Sequence, residues 1–229
     1  MSSTPSTPSK APRQVVGGVF AFPPNRDTMG GTAYLIQEAG GNILVDAPPW
    51  DEGNQAGTRE FLQGVGGVRW LFLTHRGGIG KAQEVAQTLG SEIVMQEQEA
   101  YLLPGVAVTT FEQEFRFSPL SRALWTPGHS PGSACLYHQA AGGILFTGRH
   151  LLPDRQGQPV PLRISKTFHW GRQLRSVQKL RDLFSSETLH YLCPGANTGF
   201  LRGERAIAHA YEKLAALDLE SLAHMQPGL

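Results

Sequence analysis

The stretch "THRGGIGKA", residues 74–82, puts a histidine where many hydrolases hold a metal, at the end of an apolar run and before a helical pattern. His75 is therefore the first candidate for a ligand or a general base. The residues that follow are Arg76, Gly77, Gly78, Ile79, Gly80 and Lys81, none of which suits a divalent cation. Arg76 and Lys81 suit an anion, and the glycine-rich backbone at Gly77 and Gly78, opening a helix, adds free N–H groups. A nucleotide-binding P-loop is not supported, because Ala82 follows Lys81 where that pattern needs Ser or Thr. A second histidine, His129, lies in "WTPGHSPGSACLYH" (125–138), and a third, His150, in "ILFTGRHLL" (144–152) beside Arg149.

These residues need strands and helices to bring them together. "QVVGGVFAF" (14–22), "TAYLIQ" (32–37) and "GGNILVD" (40–46) read as strands, the last entered by a Gly-Gly turn. "VRWLFLT" (68–74) is almost wholly apolar, as expected inside a sheet covered on both faces. Helical spacing marks 54–65, 80–90 and, most clearly, 171–184, where Leu174, Val177, Leu180, Leu183 and Phe184 form one stripe. Further strands are expected at 91–95, 106–111, 122–127, 133–138, 142–148 and 188–195, and a long helix over about 203–223. Mixed strands and helices point to one α/β domain with two sheets and outer helices.

Composition bounds the function. The chain has 229 residues, enough for a substantial core, with 40% hydrophobic and 17% charged residues. A net charge of +1 gives no electrostatic argument for nucleic acid or an anionic membrane. Two cysteines, Cys135 and Cys193, are too few for a disulfide scaffold or a four-thiolate zinc site, which favours a cytoplasmic setting. No apolar stretch approaches the about 18 residues of a membrane span. Nine of the first thirteen residues are Ser, Thr or Pro, so residues 1–13 read as a disordered tail and 14–229 as the domain.

Taken in order, "NILVDAPP" (42–49), "LFLTHRGG" (71–78), "TPGHSPGS" (126–133), "ILFTGRHLL" and "YLCPGANTG" (191–199) resemble the metallo-β-lactamase-fold superfamily. The resemblance covers about residues 15–200 and implies an αββα sandwich with its active site on loops at one edge of two mixed sheets. Metal-binding members carry Thr-His-x-His-x-Asp-His in the first motif. A branch often seen beside ferredoxin-like domains carries Thr-His-Arg-Asp-Asp, and "THRGG" is similar to it with both Asp replaced by Gly77 and Gly78. By the same resemblance Lys81 and Ala82 stand where further ligands are expected, Arg149 replaces the Asp that bridges two metals, and Ala196, beside Asn197, replaces a His. His75 and His129 are retained.

Two imidazoles are one short of the three ligands a catalytic zinc takes, and Asp46, His150, Asp154 or Cys193 would have to complete the set. The guanidinium of Arg149 has no lone pair and stays charged. The sequence therefore points to a degenerate member without an intact dimetal centre and without a cofactor. Its expected role is a non-hydrolytic binding or scaffold protein with a cationic pocket of Asp46, Arg76, Gly77, Gly78, Lys81, Arg149, His150 and Asn197. A small anion or a protein partner would occupy it. Asp46 either orients His75 or caps its own turn; by the resemblance it is the nearest candidate partner of Arg149, and a bound anion is the other. The alternative is a hydrolase with a single zinc, iron or manganese ion on His75 and His129, acting on an ester, thioester or amide. Metal-free catalysis would use either histidine as general base beside Arg149.

Overall fold

A computed structural model describes residues 10–227, and the segment 1–9 of the expected tail lies outside them. The first sheet has seven strands in the order of the chain: β1 (Arg13–Val16), β2 (Val19–Ala21), β3 (Tyr34–Ile36), β4 (Ile43–Val45), β5 (Trp70–Leu73), β6 (Glu92–Gln96) and β7 (Val108–Phe111). β1 to β4 form an antiparallel meander, and β4 to β7 run parallel. The crossovers carry α1 (Gln55–Gly64) and α2 (Ala82–Leu89). The second sheet contains β8 (Glu114–Arg116), β9 (Ser121–Trp125), β10 (Ala134–His138) and β11 (Ile144–Gly148). After a separate small hairpin of β12 (Leu152–Pro153) and β13 (Pro159–Val160), it is completed by β14 (Tyr191–Pro194) and β15 (Ile207–Ala208). Its order is β15-β14-β11-β10-β9-β8, with only β11 and β14 parallel. α3 (Trp170–Leu183), α4 (Ala210–Ala215) and α5 (Leu219–Ala223) accompany it.

The period-two alternation of the strands sorts side chains into three cores. Leu44, Leu71, Leu73, Ile93 and Met95 face α1 and α2 with Leu62 and Val85. Their neighbours Ile43, Val45, Phe72 and Val94 face the other way, against Leu136, Ile144 and Phe146 of the second sheet. The outer face of that sheet sends Cys135, Leu145 and Leu192 to Val177, Leu180 and Leu214 of the helices. The architecture is thus an αββα sandwich whose central strands are apolar on both faces, as "VRWLFLT" predicts. The two cysteines are buried, unpaired and in different cores. No helix among the described residues is long and apolar enough to cross a membrane.

Three expectations are corrected. "QVVGGVFAF" is a hairpin of β1 and β2, not one strand, because Gly17 takes φ +54° and turns the chain; β1 also begins at Arg13, a residue assigned to the tail. The expected long helix over 203–223 is three elements. Ile207 and Ala208 pair with Leu192 and Tyr191 as a strand, and His209 has φ +52°. Asp218 then caps a new helix by accepting from the Ser221 N–H at 3.0 Å. Polar side chains also clip the sheets together: Glu38, beyond β3, meets the His138 ring at 3.0 Å and accepts from the Ser121 hydroxyl.

Phe72 is fully buried between the sheets, with the rings of Phe111 and Phe117 at 6.4 and 5.6 Å. Phe72→Ala is expected to cost about 3–5 kcal/mol of unfolding free energy in a urea titration. A loss below about 1 kcal/mol would mean the two sheets do not depend on this contact.

Candidate functional site

The site forms where the carboxyl ends of β4, β5, β11 and β14 meet along one edge of the sandwich. The sheets are stitched there by backbone bonds from Ala134 N–H to Thr74 O at 2.8 Å and from Thr32 N–H to Gly195 O at 2.8 Å, while Gly195 N–H to Gly148 O at 2.7 Å continues the β11–β14 pairing within the second sheet. Gly148 has φ +51°, and a Cβ on it would stand 2.3 Å from the Thr74 hydroxyl, so glycine is required for this approach.

Asp46 leaves β4 in the left-handed region, φ +60°, which aims its carboxylate at the next strand. It accepts from the Thr74 backbone N–H at 2.8 Å and from the Thr74 hydroxyl at 2.7 Å. The same hydroxyl oxygen lies 2.9 Å from His75 Nδ1. Since its one proton goes to Asp46, His75 Nδ1 is the donor to it, which leaves the lone pair of the neutral ring on Nε2. Asp46 therefore orients His75, but through Thr74 and not directly. Burial raises the Asp46 carboxyl to about 6, against the pull of its Thr74 bonds and of the Arg149 charge.

His75 Nε2 is buried and makes no hydrogen bond among the described residues. The His129 ring stands edge-on to it, with centroids 5.3 Å apart, and His129 Nδ1 is likewise unpartnered. Burial and then the neighbouring charges of His129, Arg149 and Arg76 hold His75 well below the usual imidazole range. Burial, then Arg149 and Arg76, brings His129 down to about 4. Both rings are neutral at pH 7.

His150 follows Arg149 just beyond β11. It is fully buried, with neither ring nitrogen hydrogen-bonded, and burial followed by the His129 charge lowers it to about 3. Its backbone carbonyl accepts from Gln173 Nε2 at 2.9 Å, and Gln173 Oε1 is buried without a partner. Five unpartnered polar atoms in this one region are a costly concentration, since each buried orphan costs about 1–3 kcal/mol.

Arg149 is placed as the "LFTGR" motif suggests but bonded otherwise. Its Nη2 donates to the carbonyls of Thr28 and Met29 at 3.0 Å each, and among the described residues it forms no ion pair with Asp46 within 4.0 Å. The expected Arg149–Asp46 pair is replaced by a latch on the loop 25–31, where Met29 has φ +54° and so turns its carbonyl inward. Arg149 still bears electrostatically on Asp46, His75 and His129.

The glycines of "THRGG" have a steric reason. A Cβ at 78 would stand 2.2 Å from Asp46 Oδ1, and one at 77 would stand 2.7 Å from His75 Nε2. Arg76 is exposed, and its backbone N–H donates to the buried Glu99 at 2.7 Å. Lys81 and Ala82 are not at the site. Lys81 reaches Trp50 O at 3.5 Å and Glu84 at 4.0 Å, and Ala82 packs in the core under α2. Asn197 is exposed and makes no capping bond. Asp154 is occupied by the backbone of its own turn, and Cys193 faces the core between the sheets. Thr74, Glu99 and Gln173 escape a reading of the sequence. Thr74 is signalled only by preceding His75, and Gln173 has no signal beyond adjoining the apolar stripe of α3.

Among the described residues no group of three His, Cys, Asp or Glu side chains converges to hold a metal ion. The donors that do converge, two neutral imidazoles beside a guanidinium, do not fit a dinuclear centre. No family model matches the sequence, and neither does any curated protein. Solved structures do resemble it. A metallo-β-lactamase family protein from Thermus thermophilus is 19% identical, with a TM-score of 0.64 over 91% of this chain and 80% of that one. The metallo-β-lactamase MIM-1 from Novosphingobium pentaromativorans is 16% identical, with a TM-score of 0.63 over 95% and 90%. ETHE1 from Myxococcus xanthus is 19% identical, with a TM-score of 0.63 over 89% and 88%. The chain has the metallo-β-lactamase fold. At these identities the likeness is one of fold, and the site has to be judged on its own residues.

Two measurements check this geometry. Gly78→Ala is expected to cost on the order of 2 kcal/mol by overpacking against Asp46, whereas Gly199→Ala, with nothing within 4 Å, should melt like the parent. Equal melting of the two variants would place the Asp46 carboxylate elsewhere. The second is pH dependence. His129 and His150, lowered to about 4 and about 3 from 6.5, contribute stability that is full above pH 6.5 and lost as pH falls. His75 acts in the same direction. Asp46, raised to about 6 from 3.8, contributes oppositely: its stability is full below pH 3.8 and lost as pH rises to 6. Three histidines against one carboxyl should lower stability between pH 7 and pH 5 by on the order of 3 kcal/mol, read from urea midpoints. A rise over that interval would show the imidazoles to be solvated.

Proposed function

We propose that this protein is a non-hydrolytic binding or scaffold member of its fold, holding a small anion or an acidic group of a protein partner at the histidine edge. The observation that carries this reading is the pairing of Arg149. Among the described residues its half-buried charge is met by two backbone carbonyls, while Asp46 spends its oxygens on Thr74. An anion is a better partner for a guanidinium than a neutral carbonyl. Arg76 brings a second, exposed cation, and His75 Nε2 offers a lone pair to a hydroxyl or N–H of the ligand. No hydrolytic step is assigned to these residues.

A specific observation favours the second reading, a hydrolase with one metal ion acting on an ester, thioester or amide. His75 and His129 each leave a buried nitrogen unbonded, on rings whose centroids are 5.3 Å apart. Against it stand the lack of a third converging ligand among the described residues and the positive charge of Arg149.

Elemental analysis after dialysis separates the readings. Less than one zinc, iron or manganese per chain is expected, and one or more tightly held ions would support the hydrolase. Arg149→Asp tests the pocket itself. It frees the 25–31 loop and sets a second carboxylate near Asp46, so the melting temperature is expected to fall by several degrees, and added zinc should recover part of the loss. A variant that melts like the parent and ignores zinc would place Arg149 outside the pocket.

A further inference from the structure

The chain has a second concave site, away from the histidines. A cleft of about 530 Å³ opens between the turn that joins β12 to β13 and the segment leading through β15 into α4. That volume is in the range of small-molecule sites. None of Asp46, His75, His129 and Arg149 lines it. Its floor is apolar: Ile207 is 2% exposed, while the Phe200 ring, 42% exposed, is offered at the wall. Its rim carries Arg155, Arg202 and Lys213 against a single acid, Glu204.

These charges are not spent on one another. Among the described residues no carboxylate lies within 4.0 Å of Arg155, Arg202 or Lys213. The neighbouring Asp154 accepts instead from the backbone N–H groups of Gln156 and Gln158, at 2.9 and 2.8 Å, which also stiffens the turn that bears Arg155. Three cations and one anion leave the cleft with an excess of two positive charges beside an exposed aromatic ring. The complementary ligand is a dianion with a flat apolar body. A phosphate monoester carries a charge of about −1.5 to −2 at pH 7, and a planar ring on it would stack on Phe200 as bases stack on aromatic side chains. Glu204, exposed on the same rim, is an acceptor.

We propose that this cleft binds a phosphate monoester bearing a planar ring, of nucleoside monophosphate size. Calorimetric titration of the full-length protein with AMP and with phenyl phosphate tests it. Saturable binding of at least one probe is expected, about tenfold or more tighter than adenosine or inorganic phosphate. Reversing both exposed rim charges, Arg155→Glu with Arg202→Glu, is expected to weaken that binding at least about tenfold while the melting temperature is kept, and Phe200→Ala to weaken it several-fold. The proposal is overturned if neither probe binds at millimolar concentration, if binding survives the double reversal, or if inorganic phosphate alone binds as tightly. Loss of binding on Arg149→Ala but not on the double reversal would seat the phosphate at the histidine edge and overturn it as well.

Discussion

The buried carboxylate of Asp46, held by the backbone and hydroxyl of Thr74, is the interaction on which this edge of the molecule depends. It locks the ends of β4 and β5 together and passes its orientation to His75 through one shared hydroxyl. It also occupies the space over residue 78, so glycine is required there. A carboxylate taken out of water is costly unless its oxygens are bonded. Here both oxygens are bonded, and the remaining cost appears as a proton affinity raised to about 6. β4 and β5 are the middle of the first sheet, and the burial of Asp46 at their ends is the source of that cost, which the two Thr74 bonds offset in part.

From that anchor the character of the site follows. One imidazole nitrogen is tied back and the other is presented, unbonded, toward a second neutral imidazole. Positive charge comes from side chains that cannot ligate. The fold supplies a place where strands end and loops converge, which suits many chemistries. The residues at that place are two neutral imidazoles and a guanidinium held by backbone carbonyls. His150 and Gln173, joined by a bond from Gln173 Nε2 to the His150 carbonyl, add further buried polar atoms without partners among the described residues.

The two concave regions differ in construction. At the histidine edge, charge is half-buried, and its partners are backbone carbonyls of a latched loop. In the second cleft, charge stands at the rim over an apolar floor formed by an edge strand. The second is open enough for a ligand that stacks and projects a charged end.

Much of this was legible in the residues alone. The both-faces-apolar strands, the Gly-Gly turn before β4 and the stripe of α3 point to one α/β domain with two sheets and outer helices, because strand and helix periods are local properties of the chain; the αββα order was what the resemblance implied. The resemblance carried by the order of the motifs implied that His75, His129 and Arg149 stand at strand ends or on loops of one edge. What the tertiary structure alone decided is where each polar group finds its partner. Arg149 bonds to carbonyls 120 residues away or more, Asp46 reaches His75 through Thr74, and Lys81 turns away to Glu84. The helix expected over 203–223 breaks because Ile207 has a strand to pair with, which no local pattern reveals. Hydrogen bonds of buried groups are settled by packing across the whole molecule. The sequence therefore names the residues that can do chemistry, and only the assembled layers determine which atoms remain free to do it.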